Sequence, residues 1–384
     1  MRVLIDYRPA LRERSGVGEY THELAKALVA ASARANGAAP LELTLFSSSW
    51  KDRFVPDRDL AGAAAIDRRV PVGVLNFAWH RLGWPPAETL AGAAFDVAHS
   101  SHPLLMPSRG AAQVITIHDL DFLSHPERTR AEIRRDYPAL VRAHALRADA
   151  IVVSSSFTAD EVERQLGVAR ARIAICPAGA PSWPPRAAPP RDGYVLFVGT
   201  LEPRKNVGGL LDAYERLISL PRAGAAVRVP DLVIAGRATA AAAPWLDRIG
   251  RPPLAGRVRY AGYVEPSERR DLYAGARLLV QPSFEEGFGM TVLEAMSLGV
   301  PVVAARRGSL PELVGDAGPL VDPDSPEEMA AAIERIAADE AVAAACATRG
   351  LARAAAYTWA STAERVYDTY RQAIARRRQR RGST

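Results

Sequence analysis

Sulfur chemistry is nearly missing from this chain of 384 residues: its two cysteines, Cys176 and Cys346, lie far apart and show no metal-ligand spacing. A disulfide framework is thereby excluded as the organising device, and a reducing, cytoplasmic setting is expected. Long apolar runs are missing too. No uninterrupted stretch approaches about 18 apolar residues, so no membrane-spanning helix is expected. The opening residues MRVLIDYRPA place Asp6 inside what would have to be the apolar core of a leader, so no signal peptide is expected either. Excess charge is confined to one end. The formal net charge is +6, and Arg371, Arg376, Arg377, Arg378, Arg380 and Arg381 supply six positive charges there. The rest is formally neutral, so no nucleic acid partner is expected. The tail reads as a solvated end or as a contact for anionic lipid.

What is present suits two globular domains. The length exceeds one ordinary core, and the hydrophobic share of 48% and charged share of 24% are those of a folded globular protein. Short apolar runs at residues 3–5, 41–46, 96–99, 113–117 and 151–153 alternate with helical patterns. A second series follows at 195–198, 232–235, 258–264, 276–280 and 301–304. Runs of this kind are buried parallel strands, which gives the α/β class and two doubly wound, Rossmann-like domains. The stretch 177–191, PAGAPSWPPRAAPPR, is dense in proline, lacks periodicity and reads as a linker. The expected division is 1–182 for the first domain, 183–191 for the linker, 192–357 for the second domain and 358–384 for a last helix, about 359–375, with its basic tail.

One stretch concentrates the chemistry. Residues 282–301 read PSFEEGFGMTVLEAMSLGVP: a glycine-broken turn between a buried strand and a helix, stopped by Gly299 and Pro301. Free amides from Gly287, Phe288, Gly289, Met290 and Thr291 at a helix start attract phosphate. Glu286 and Glu294, with seven residues between them, suit the vicinal hydroxyls of a sugar, because a carboxylate accepts a hydrogen bond from each of two neighbouring oxygens. One acid is expected on the sugar and the other on a ribose. Upstream, the strand ending at Gly199 leads to Arg204 and Lys205, a fork and a point charge suited to a diphosphate.

The first half carries fewer signals. Gly16 and Gly18 allow close backbone approach, but no full G-x-G-x-x-G is present. His118 and Asp119 stand at the carboxyl end of a parallel strand, where ligands bind, so the histidine suits a hydroxyl and the acid a supporting place. Residues 70–86, VPVGVLNFAWHRLGWPP, read as a loop with Phe77, Trp79 and Trp84 among His80 and Arg81, suited to packing, a membrane interface or an acceptor groove. Residues 129–147 read as a basic amphipathic helix, with Arg130, Arg134, Arg135, Arg142 and Arg147 around an apolar stripe. Ser154, Ser155 and Ser156 read as helix caps.

With YVLFVGTLEPRKNVGGLLDAY at 194–214, VITIHDL at 114–120 and GSLPELVGDAGPLVDP at 308–323, the E-x7-E stretch resembles the retaining GT-B glycosyltransferases of family 4. The resemblance covers most of the chain. It implies two Rossmann-like domains facing a cleft, and transfer of a hexose from a nucleoside diphosphate sugar to a hydroxyl of a glycan or lipid-linked acceptor. It makes His118 the active-site histidine, turns the loop of Gly16 and Gly18 toward the donor phosphates and the acceptor, sets the backbone near Tyr263 and Val264 beside the nucleobase, and sends the last helix back across both domains. Around Arg307 to Glu312, RGSLPE, the likeness is to bacterial mannosyltransferases, which favours GDP-mannose over UDP-glucose and a surface-polysaccharide acceptor. No metal or other cofactor is implied, since cations and a helix start carry the diphosphate; peripheral contact with the inner face of the cell membrane is expected. Ala178 departs from the asparagine that the family often carries there. A nucleotide-sugar epimerase and a non-catalytic nucleotide-sugar-binding protein are the alternatives.

Overall fold

The computed structural model describes residues 1–11, 14, 16–34, 41–128, 131–190, 192–219 and 229–382. Two compact units result: Met1–Gly179 with Thr358–Thr384, and Ala180–Tyr357.

The first unit is built on β1 (Arg2–Asp6), β2 (Glu42–Ser48), β3 (Ala64–Arg68), β4 (Val97–Ser100), β5 (Ala112–Ile117), β6 (Ala150–Val153) and β7 (Ile173–Ile175), all parallel, in the order β3-β2-β1-β4-β5-β6-β7. Val3, Leu4 and Ile5, like Ile115 and Ile117, are buried on both faces because helices cover both sides of the sheet. The helix Val17–Arg34 turns Tyr20, Leu24 and Leu28 inward and packs on the helix Trp359–Gly382, whose Val366, Tyr370 and Ala373 are buried.

The second unit repeats the plan with β8 (Tyr194–Val198), β9 (Leu232–Ala235), β10 (Val258–Gly262), β11 (Ala276–Gln281), β12 (Val302–Ala305) and β13 (Leu320–Val321), parallel, in the order β10-β9-β8-β11-β12-β13. The helix Val207–Ser219 has Val207, Leu210, Leu211, Tyr214 and Leu217 on one buried stripe. Each such side chain contributes about 1.5–3 kcal/mol by burial, which outweighs the weak helix propensity of Gly208 and Gly209 at the helix start. Both sheets reverse their build direction once, between β1 and β4 and between β8 and β11. Parallel sheets bind ligands at such switch points.

Four sequence expectations need correction. Residues 70–86 are no loop: Val72–Phe77 is helical and continues through a further helical turn, Ala78–Leu82, because Leu75 and Trp79, four apart, sink together against Phe46 and Ala98. The proline-rich stretch is not a free linker. The division falls at 179/180, since the Ala180 amide donates to Tyr357 O at 2.9 Å, Trp183 packs at 6.0 Å from Tyr273, and Arg186 donates to Ala276 O at 2.5 Å. The third concerns the strand expected at 258–264, which stops at Gly262, where φ is +75° and the register shifts. The last helix, expected to end near 375, runs to Gly382, and its arginines are not simply solvated: Arg376 and Arg380 donate to Asp149 O at 3.3 Å and Asp149 Oδ1 at 3.2 Å, and Arg381 to Arg109 O at 2.5 Å. Asp149 is fully enclosed, so it holds the cations there.

Ser155 caps the helix Ser156–Leu166 by accepting from the Thr158 amide. In the helix Ala131–Arg147, Tyr137, Leu140 and Val141 face the core, and Arg142 donates to Gln165 O at 2.6 Å; Thr129 and Arg130, with Ser15, lie outside the described residues, as do the side chains of Arg134 and Arg135.

Candidate active site

At the switch point of the second sheet, backbone presses on backbone. A Cβ on Gly236, at φ +136°, would stand 2.0 Å from Gly199 O, so β8 and β9 end in contact that only glycine permits. The chain then runs from Gly199 into the short turn Pro203–Lys205, closed by Asn206 at φ +55°. Asn206 locks this turn: its Nδ2 donates to Pro323 O at 2.7 Å and its Oδ1 accepts from the Gly209 amide at 3.1 Å. Arg204 and Lys205 are thereby aimed at the end of β11.

There they meet Glu286. Lys205 Nζ lies 2.5 Å from Glu286 Oε1, and Arg204 Nη1 lies 3.6 Å from Oε2. Oε1 also accepts from Ser283 Oγ at 2.8 Å and Gln281 Nε2 at 2.9 Å, and Gln281 Oε1 in turn accepts from Thr291 Oγ1 at 3.1 Å. Burial alone would raise the Glu286 pKa; Lys205 and Arg204 outweigh it and bring it down to about 2. Burial and the Arg204 charge lower the Lys205 pKa, against the opposing pull of Glu286. The Glu286 backbone is clamped from behind. Ser309 gives its amide and its hydroxyl to Glu286 O at 3.0 and 2.9 Å, and Gly308, at φ +60°, leaves 2.7 Å between that carbonyl and a would-be Cβ.

Gly287 and Phe288 continue to Gly289, whose φ of +102° turns the chain into the helix Met290–Ser297 with Thr291 in its first turn. Leu310 leaves no space for a Cβ at Gly289. One further turn along, Glu294 is 6% exposed and paired with Arg269 Nη1 at 2.9 Å, while burial and this carboxylate push the Tyr273 phenol well above its usual range. Val264 follows β10, half-buried.

The remaining expected residues belong to the first unit. His118, just past β5, donates Nε2–H to Ser101 O at 3.2 Å, which leaves Nδ1 as the acceptor of the neutral ring. Burial lowers its pKa, against the pull of that hydrogen bond and of Asp119. The edge of Tyr20 fixes the ring at 5.0 Å. Gly16 starts the first helix with φ +52°, and Gly18 is needed because a Cβ would meet Pro9 O at 2.7 Å.

The structure therefore joins Arg204, Lys205, Glu286 and Thr291 in one network, sets Gly199 against Gly236 at the end of β8, and gives Glu294 a separate partner. Sequence reading missed Gln281, Ser283, Ser309 and Arg269. Ser309 lay inside a motif already noticed; Arg269 sits in PSERRDLYA, where nothing distinguishes it from a solvated helix residue. It also missed that Asp6, at the carboxyl end of β1, pairs with Arg8 at 2.6 Å, although an acid ending an apolar strand was a readable signal.

Two such sheets, each with its switch point, are the architecture of the GT-B glycosyltransferases. Among solved structures, sucrose-phosphate synthase from Thermosynechococcus elongatus superposes with a TM-score of 0.77 at 20% identity, covering 97% of this chain and 99% of that one. WaaG, a glycosyltransferase of lipopolysaccharide biosynthesis, gives 0.69 at 17% identity, covering 96% and 99%. Sequence narrows the class. Residues 14–183 match Glycosyltransferase Family 4 and residues 192–339 match Glycosyl transferases group 1. The O-antigen chain mannosyltransferase B of Escherichia coli is 30% identical over 97% of this chain and 100% of its own length, and the D-inositol 3-phosphate glycosyltransferase of Rhodococcus opacus is 29% identical over 59% and 54%. The chain belongs to glycosyltransferase family 4. It is a hexosyltransferase that takes its sugar from a nucleotide sugar.

Proposed function

We propose that the enzyme transfers mannose from GDP-mannose, with retention at the anomeric carbon, to a hydroxyl of a surface-glycan or lipid-linked acceptor. The observation that carries this reading is the triad of Arg204, Lys205 and Glu286 beside the start of the helix Met290–Ser297. The choice of mannose rests on the Escherichia coli relative.

Bond breaking leaves negative charge on the diphosphate. Arg204 and Lys205, held by Glu286 before the donor arrives, stabilise that charge together with the amides of Gly287 to Thr291. No metal is assigned to this task. Glu294 accepts from the ribose hydroxyls, Val264 borders the base, Glu286 accepts from the donor sugar, and Nδ1 of His118 accepts from a sugar hydroxyl or the incoming one. Glu286 is a poor nucleophile and a poor base, because its Oε1 accepts three hydrogen bonds and its pKa lies near 2. Retention is therefore assigned to a same-face reaction: the acceptor oxygen bonds to the anomeric carbon as the carbon–phosphate-oxygen bond breaks, and the acceptor proton passes to the leaving phosphate oxygen.

A thermal-shift panel of GDP-mannose, UDP-glucose, UDP-N-acetylglucosamine, GDP and UDP tests the donor. A ligand at a hundred times its dissociation constant stabilises by about 2.7 kcal/mol. GDP-mannose and GDP should respond and Glu294→Ala should abolish the response. A UDP-sugar responding alone would refute the donor, and a covalent sugar trapped on the chain would refute the same-face step.

A further inference from the structure

At the amino ends of β5, β6 and β7, opposite the end that carries His118, arginines converge on one residue. Asp149, fully enclosed, immediately precedes β6 and accepts from the Gln113 amide at 2.9 Å. Arg376 Nη1 donates to the Asp149 carbonyl at 3.3 Å, Arg380 Nη1 lies 3.2 Å from Oδ1, and Arg377 Nη1 lies 3.9 Å from Oδ2. Arg172, in the turn before β7, donates Nη1 to Ala148 O at 3.0 Å and to Leu146 O at 2.9 Å. Arg376 and Arg380, four apart, share one face of the helix Trp359–Gly382. Arg376 Nη2 also donates to Ala171 O, so this helix and the turn of Arg172 are tied together.

Four guanidinium groups thus face one carboxylate, which offsets a single charge. Asp149 is the one acid that pairs with any of them among the described residues. The surplus is felt locally. Burial, then the Arg380 and Arg376 charges, lower the Arg172 pKa against the pull of Asp149. Donors are also left over. A guanidinium carries five N–H groups, and Arg172 and Arg380 spend only those of Nη1, while Nε of Arg377 is buried with no hydrogen-bond partner among the described residues. Arg380 is 48% exposed and Arg377 25%, so an anion can reach the cluster from solvent. A second carboxylate would offset one more charge through two oxygens; a phosphate brings up to two charges and three or more oxygens to forked donors, and so matches both the surplus and the spare N–H groups.

We propose that Arg172, Arg376, Arg377 and Arg380 form a binding site for a phosphate-bearing anion, either a soluble phosphate compound or the phosphate of a lipid headgroup. The site is remote from the transfer chemistry: Gln113 and His118 stand five residues apart along β5, roughly 16 Å at 3.3 Å per residue. It does not rest on the proposed donor or acceptor. A bound phosphate bridges the last helix and the turn before β7, and so holds the helix more firmly on the sheet it covers.

The test is hydrogen exchange of the full chain at about 0.15 M salt, where loose surface attraction is screened within about 8 Å. One arm adds inorganic pyrophosphate; the other adds vesicles of phosphatidylglycerol and phosphatidylcholine, against vesicles of phosphatidylcholine alone. Saturable slowing of exchange at residues 370–382 is expected. Arg380→Gln should weaken it about tenfold. Arg371→Gln, which removes the same charge from a side chain 70% exposed on the same helix, should leave it unchanged. Slowing by pyrophosphate identifies a soluble ligand, and slowing by the phosphatidylglycerol vesicles alone identifies a headgroup. No slowing in either arm, or equal weakening by Arg371→Gln and Arg380→Gln, overturns the site. Pyrophosphate protection confined to residues 203–209 and 286–291 overturns it as well, and leaves the donor assignment standing.

Discussion

Arg269 Nη1 lies 2.9 Å from Glu294 Oε1, and the two side chains are 12% and 8% exposed. Removing one member of an enclosed ion pair costs about 3–5 kcal/mol, since it leaves the other charge under-compensated. Arg269→Ala should therefore lower the unfolding free energy by about 3 kcal/mol in urea titrations. It should also weaken nucleotide binding, with Arg269→Lys recovering part of both. A nucleotide response equal to that of the unmodified chain would separate Arg269 from the ribose contact proposed for Glu294.

Glu286 makes stability pH-dependent in a defined window. Its folded pKa of about 2 lies below the ordinary 4.5, so the folded state binds the proton less tightly than the unfolded state does. The resulting stabilisation, on the order of 3 kcal/mol, is present above pH 4.5 and is lost as pH falls toward 2. In acid titrations of stability, Glu286→Gln should flatten the curve between pH 4.5 and 2; an unchanged slope would contradict the pairing with Lys205 and Arg204.

The His118 pKa is lowered from 6.5 by burial, so the ring is neutral at pH 7. As pH falls, protonation takes the Nδ1 lone pair proposed to receive a hydroxyl. The acid limb of kcat/KM should accordingly lie below pH 6.5, and His118→Ala should lose that limb together with about 10²–10⁴-fold in kcat/KM. Retention of the limb in the variant would assign it to another group.

Asp149 anchors the last helix from a fully buried position, whereas the Arg380 side chain is 48% exposed. The two ends of this ion pair should therefore weigh differently. Asp149→Ala should cost about 3 kcal/mol and expose the amides of residues 370–382 to hydrogen exchange, while Arg380→Ala should cost less than about 1 kcal/mol. Equal costs would mean that Arg380 alone compensates the carboxylate, in place of a charge shared with Arg377 and with the bond from the Gln113 amide.

The legible parts of the fold were those decided locally. Strands such as β6, AIVV, are buried on both faces and read as continuous apolar runs, and Glu286, Gly289 and Glu294 sit in a motif whose turn and helix are fixed by neighbours in sequence. The helices at 72–82 were illegible because Leu75 and Trp79 gain their burial from Phe46 and Phe95, on other elements. Arg269 and Gln281 were illegible for the same reason: an arginine on a polar helix and a glutamine ending a strand acquire a role only when Glu294 and Glu286 are brought to them. Gly18 gained a packing role in the same way, through Pro9.

The helix Trp359–Gly382 closes a unit whose other residues, 1–179, all precede the second unit. In a nascent chain emerging amino end first, β1 to β7 exist long before their covering helix does. Until Tyr370 is made, His99 lacks the hydroxyl that meets its Nδ1 at 2.7 Å, and the inward face of the helix Val17–Arg34 lacks Val366. The second unit is contiguous and has every residue of its own core at hand earlier. Synthesis order thus favours the second unit, Ala180–Tyr357, as the first to mature, with the first unit finished only once the helix Trp359–Gly382 is made.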